Sequence, residues 1–285
     1  MSKAFDNILI PVDFSINTEI AVKKAIELTE ENNAVIHLLH VTAPPSLIPT
    51  ISVDPYMSEN AIYNASENRI AKDKLEEWKK SISETLPGVY IKTHFLSGSN
   101  VQQKITDFSK CLQPGLIIIG KHNYHSWLGF LNTVIPSKLA KASNCPVLTV
   151  KMGSLHNKIK TIVFPIQSLV PGRKIALLLA IAKRYRARIH LIILVNPTDE
   201  TPSPLYRAFI ETYRTLKASL NCPIEYSMVK GTNLTKAALH FAQIIKADMI
   251  LVNPDAETKK FPLSGQEATD ILNGNSKLEV LSVEP

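Results

Sequence analysis

The sequence reads as one pattern written twice, and this repetition limits the folds open to the chain more than any other feature. Residues 5–41, FDNILIPVDFSINTEIAVKKAIELTEENNAVIHLLHV, lie over residues 159–195, IKTIVFPIQSLVPGRKIALLLAIAKRYRARIHLIILV. Each copy opens with an apolar run that ends in proline, at Pro11 and Pro165. An amphipathic stretch follows, then a run containing IHL. Further on, LSGSNVQQKITDFSK matches VKGTNLTKAALHFAQ, GLIIIGKH matches DMILVNPD, and PVLTV matches EVLSV. The matches keep their order and, from the SGSN pair onward, one constant offset. Ordered self-similarity of this kind marks a tandem duplication. A chain of 285 residues is comfortable for two domains. The polar stretch KMGSLHNK separates them, giving domains at 1–151 and 159–285, the second degenerate. So short a connection predicts that the halves pack together.

Within each half, short apolar runs alternate with stretches of helical period. Strands are expected at 6–12, 34–41, 89–96, 115–119 and 146–151, and helices at 16–32, 58–85, 99–112 and 134–143. The second half repeats the strands near 160–166, 188–195, 223–230, 247–252 and 278–283. Runs that are apolar throughout suit strands covered on both faces. Their alternation with helices predicts an α/β fold with a parallel sheet and right-handed crossovers. In the longest helix, Ala71, Leu75, Trp78 and Ile82 form an apolar stripe, so Trp78 is read as core. The second half is shorter mainly because it lacks a counterpart of APPSLIPTISVDPYMSENAIYN. That Pro-rich segment, within 42–64, is read as a long loop at a strand's carboxyl end, either a lid or a surface excursion.

Composition excludes several function classes. The net charge of +7 is dispersed, as in KRYRARIH and RIAKDKLEEWKK, without the interleaved aromatics of a single-strand reader, so nucleic acid is not an expected partner. There is no apolar run long enough to span a bilayer and no signal-peptide core at the N-terminus, so no membrane association is expected and the chain is read as cytoplasmic. The cysteines Cys111, Cys145 and Cys222 form no CxxC pair and are read as small apolar residues. His122 and His125 lie three apart beside Lys121, but the loop supplies no acidic or thiol ligand, so no metal is expected. His37 and His40, three apart on one strand, face opposite sides and are read as structural. No GxSxG, P-loop or HExxH motif occurs, and no catalytic residues are assigned.

The opening NILIPVDFS, the SGSN turn before a helix, and LIIIGKHN followed by NCPVLTV at the close together resemble the universal stress protein family. The resemblance covers the first half fully and the second more weakly. It implies two tandem open parallel five-stranded sheets of order 3-2-1-4-5 with helices on both faces, packed as a pseudo-dimer. It further implies that the last strands, CPVLTV and KLEVLSV, associate with each other. In open parallel sheets ligands bind at the strands' carboxyl ends where the order switches direction, here between the first and fourth strands.

The family's ATP-binding branch implies an acidic residue at Asp13 and the main chain at Val41 against the adenine. The phosphates would lie in a loop of pattern Gly-x-x-Gly, nine residues, then Gly-Ser or Gly-Thr. In this sequence those positions are Gly120, Asn123, Thr133 and Val134. Asn can take the left-handed conformation of a glycine. Thr133, by contrast, is β-branched where the backbone must approach phosphate, and Val134 carries no hydroxyl. Tyr124, Trp127 and Phe130 make the loop unusually aromatic. In the second half Gln167 replaces the acid, Asn253-Pro254 replaces the strand-end glycine and its neighbour, and Lys259 and Lys260 sit in a polar loop. Asp13 also suits a helix cap, as do Ser99 and Asn100. The resulting expectation is a non-enzymatic stress-response module with a degraded nucleotide loop and no cofactor. It would bind a protein partner or a small ligand, and further dimerisation is left open. The competing expectation is an ATP or AMP sensor, or slow ATPase, using the first-domain crevice alone.

Overall fold

A computed structural model describes residues 5–29, 34–42, 56–85, 88–121, 131, 134–154, 158–167, 172–195, 204–230, 233–254 and 276–284, without side chains for 56–67 and 85. The first half runs β1 (Asn7–Pro11), α1 (Ile16–Thr29), β2 (Val35–Thr42), α2 (Tyr56–Thr85), β3 (Tyr90–Ser97), α3 (Val101–Leu112), β4 (Leu116–Gly120), α4 (Pro136–Ser143) and β5 (Val147–Val150). After a 3-10 turn at Met152–Ser154, the second half runs β6 (Thr161–Pro165), α5 (Gly172–Tyr185), β7 (Arg188–Val195), α6 (Pro204–Ser219), β8 (Ile224–Lys230), α7 (Leu234–Ile244), β9 (Met249–Val252) and β10 (Glu279–Ser282).

Local chemistry explains several of these boundaries. Pro11 and Pro165 close β1 and β6, since proline offers no N–H to continue a ladder. Asn100 and Asn233 cap α3 and α7, each side chain accepting a backbone N–H three residues on, from Gln103 and Lys236 at 3.0 Å. Asn100 is thus a helix entry. Pro136 opens α4, and Asn144 ends it in the left-handed conformation.

The strands form one ten-stranded sheet in the order β3-β2-β1-β4-β5-β10-β9-β6-β7-β8. Each half therefore has the expected order 3-2-1-4-5 with parallel pairing. The expectation of two separate sheets needs correcting: β5 and β10 pair antiparallel, Leu148 opposite Leu281, and fuse them into one mixed sheet. The two closing strands, each an edge in its own half, satisfy each other's backbone groups.

The long-loop reading is also corrected. Helix α2 begins at Tyr56, so the end of APPSLIPTISVDPYMSENAIYN is helical, while residues 43–55 lie outside the described residues. Helix α2 has 30 residues where its counterpart α6 has 16, so most of the extra length of the first half is helix. Met57, Glu59 and Ala61, in the first turns of the helix, are good helix formers. One large apolar cluster spans both halves on one face of the sheet, from Ile8, Ile10 and Leu38 to Phe164, Leu178 and Leu251. Each half has its own smaller cluster around Ile117 and Ile119, and around Val163 and Ile250. Among the described residues no helix is long and apolar enough to cross a membrane.

Candidate functional site

The sheet reverses its connection order between β1 and β4, which pair through Ile8–Leu116 and Leu9–Ile117. Asp13 follows β1 and Gly120 ends β4, so the two flank one crevice. The first turn of α1 presses against the end of β4. A Cβ placed on Gly120 would lie 1.9 Å from the Asn17 carbonyl oxygen, so packing alone requires glycine there. Asp13 Oδ1 accepts hydrogen bonds from the Ser15 N–H at 3.1 Å and the Thr18 hydroxyl at 2.5 Å, which orders the entry to α1. Its other oxygen, Oδ2, is buried and has no partner among the described residues. The carboxylate thus orders the helix entry through one oxygen, the local role that the sequence offered for it.

The adjoining wall is aromatic. Phe14 adopts a left-handed φ of 58°, with its ring 4.7 Å from His40 and edge-on to Trp78 at 5.7 Å. Trp78 is half-buried at this wall, packed against the core rather than within it. The Lys74 ammonium lies 5.6 Å from the Phe14 ring centre, within cation–π range. His40 Nδ1 is 2.6 Å from the Val12 carbonyl oxygen. Burial pushes the His40 imidazole below its usual pKa, partly offset by that carbonyl and by Asp13. A neutral imidazole donates from Nδ1 to Val12. Val41, at the end of β2, is buried beside it. His37 instead pairs with His94 at 2.9 Å and, through it, meets Phe108 of α3. Burial, with His94 and Lys92 adding to it, pushes His37 down to about 4.

At the phosphate end of the crevice, Val134 is 0 % exposed and packs with Leu131 and Leu139. Its N–H donates to the Leu131 carbonyl at 3.1 Å, and the Ile135 N–H donates to Gln102 Oε1 at 3.1 Å. Pro136 has no N–H to give. Residues 134, 135 and 136, leading into α4, therefore offer no free backbone N–H to an anion. Gln102 had no signal in the sequence, because nothing local ties residue 102 to residue 135. Asn123, Thr133, Tyr124, Trp127, Phe130, His122 and His125 lie outside the described residues.

The matching place in the second half is filled. Asn253, in the position of Gly120, accepts from the Lys174 ammonium at 2.6 Å and donates to Gln167 Oε1. Lys174 is 3 % exposed, with its Nζ 5.1 Å from the Phe164 ring centre. Gln167, Asn253 and Lys174 thus satisfy one another across the space that a ligand would occupy. Lys259 and Lys260 lie outside the described residues.

One other alignment of reactive types occurs. His190 Nε2 is 2.9 Å from Ser227 Oγ, and its Nδ1 is 3.3 Å from Glu225. It stands near the start of β7, away from the strands' carboxyl ends, and its ring packs on Phe241 at 4.7 Å. Glu225 is well exposed and shared with Arg188. It occupies the place that His37, His94 and Phe108 hold in the first half, which is the pattern of a structural pair. The Cys145 thiol donates to the Pro114 carbonyl, and burial pushes it up to about 12, so it is not a nucleophile. Among the described residues no three His, Cys, Asp or Glu side chains are grouped to hold a metal.

Several solved structures match the chain over nearly its whole length. A universal stress protein from Archaeoglobus fulgidus superposes with a TM-score of 0.65 at 17 % identity, covering 99 % of this chain and 98 % of that one. A putative universal stress protein from Pseudomonas aeruginosa gives 0.61 at 19 %, covering 99 % and 94 %. The cytoplasmic domain of a prokaryotic cation chloride cotransporter gives 0.52 at 10 %, covering 98 % and 95 %, so the fold alone does not fix a function. No curated protein matches the sequence. The family description that matches residues 4–151 is that of the universal stress proteins, and the chain belongs to that family.

Proposed function

We propose that the chain is a non-enzymatic binding and regulatory module of the stress response, its two halves acting as an internal pseudo-dimer that does not use ATP. The observation that carries this reading is the entry to α4. There Gln102 Oε1 takes the Ile135 N–H, and Val134 is buried among leucines where the family's phosphate contacts would lie. The second-half crevice, closed by Gln167, Asn253 and Lys174, supports it. On this reading Val41, Gly120, Asn123, Thr133 and Val134 are inherited positions rather than a working nucleotide site. Isothermal titration of untagged protein with Mg-ATP, alongside mass spectrometry of small molecules released on denaturation, tests it. The expected result is no nucleotide by either route. Micromolar ATP affinity that Asp13→Ala abolishes would overturn it.

The buried, unpartnered Asp13 Oδ2 favours a second reading, in which the first-half crevice senses a nucleotide. Gln102→Ala separates the two. If an anion site is merely masked by that side chain, the variant gains ATP affinity about tenfold, as the freed N–H restores a charge-assisted bond. On the first reading it gains none.

A further inference from the structure

The halves are joined by more than the β5–β10 ladder. Lys24 of α1 is 3 % exposed, with its Nζ 2.8 Å from Glu279 of β10 and 2.9 Å from Glu27 one turn along α1. Glu279 is 0 % exposed. Arg184 of α5 donates to the Glu27 carbonyl, and the Tyr185 ring lies 5.9 Å from the Lys24 ammonium. Burial pushes the Glu279 carboxyl up to about 7, with Lys24 pulling against it. Burial would lower Lys24, but the two carboxylates, Glu279 foremost, more than offset it and keep the ammonium charged.

The ladder itself is two-fold symmetric about Leu148–Leu281, since Thr149–Val280 and Val147–Ser282 are equivalent pairs. Exchanging the halves about that centre puts Pro146 where Glu279 stands. It puts one of the leucines at 177–179 where Lys24 stands, and Leu177 and Leu178 are buried. Among the described residues the ion pair has no counterpart on the other side of the junction.

We propose that this pair makes the junction selective, so that α1 and β5 accept a partner half bringing a buried carboxylate, this chain's own second half, and reject a second copy of themselves. Two first halves would bury Lys24 against proline. Two second halves would bury Glu279 against leucine. Two second halves leave Glu279 without its cation and two first halves leave Lys24 with Glu27 but without the buried Glu279, whereas an apolar pair would hold the halves together without choosing between them.

Two full-length variants test this. Lys24→Glu places two acids at its own junction, and Glu279→Lys places two bases. If they are refolded together, exchange of halves between chains restores one opposite pair at each junction. The expected result is a 1:1 two-chain species in sedimentation and intact mass, absent from the wild type and from either variant alone. A mixture showing only the species of the separate samples overturns the proposal, as does either variant matching wild-type stability alone. Lys24→Leu with Glu279→Leu in one chain gives an independent reading. It is expected to fold and to gain a concentration-dependent dimer that the wild type lacks. A strictly monomeric double variant also overturns the proposal.

Discussion

The two crevices of this molecule stand at equivalent places in one sheet and are built differently. In the first half a glycine ends β4, α1 presses down on it, and Asp13 keeps one buried oxygen unengaged. In the second, an asparagine stands in the glycine's place, and its amide bridges Gln167 and Lys174. One crevice is kept by tight backbone packing and the other is filled by side chains. The fold tolerates both, because the apolar strands beneath are equally buried in each half. A crevice can therefore be filled by a polar trio that satisfies its own hydrogen bonds without disturbing the apolar strands beneath it.

The largest effect is expected where packing is tightest. Gly120→Ala drives a Cβ into the Asn17 carbonyl. It should destabilise by about 3 kcal/mol, since backbone cannot move aside as a side chain does. Urea unfolding measures this, and a loss below about 1 kcal/mol would mean that α1 does not hold Gly120 in place. Asn253→Ala in the second half should cost less, about 2 kcal/mol, by removing an acceptor from the buried Lys174 ammonium. If it costs more than Gly120→Ala, the filled crevice is the more rigid one and the comparison inverts.

The smallest effect concerns two matching histidines. His37 is held down to about 4 by burial with His94 and Lys92, while burial lowers His190 and Glu225 pulls it back. A histidine whose folded pKa lies below its unfolded 6.5 stabilises fully above that pH. Its contribution is lost as pH falls through the folded value. His37→Gln should therefore flatten the loss of stability between pH 6.5 and about 4 more than His190→Gln does. Thermal melts across that window check it, and equal flattening would show that Glu225 does not matter.

Gly120 and Asp13 could be placed at a strand end and a helix entry from the sequence, because such boundaries are marked by neighbours in the chain. The sequence could not show that Asn17 presses on Gly120, since helix and strand meet only after the crossover has formed. Lys174 is buried on an asparagine 79 positions away, and one partner of Lys24 is on the last strand, pairings that nothing local in the sequence marks. Trp78 reads as core from its stripe, but the turn at Phe14 brings it to the crevice wall.

By itself the sequence determined the repeat and most of the elements, which rest on hydrophobic period, on proline and asparagine at boundaries, and on short-range motifs acting between near neighbours. The strand order of each half came only with the family resemblance that those motifs carry. The pairing of β5 with β10 was already implied by the family resemblance, and the structure shows that it makes one continuous sheet. Only the tertiary structure decided that Gln102 occupies the donor at α4 and that Lys24 meets Glu279 across the junction. Each of these is a pairing of polar groups distant in sequence. Burial forces such groups to find a partner, and the choice of partner is made by proximity in space.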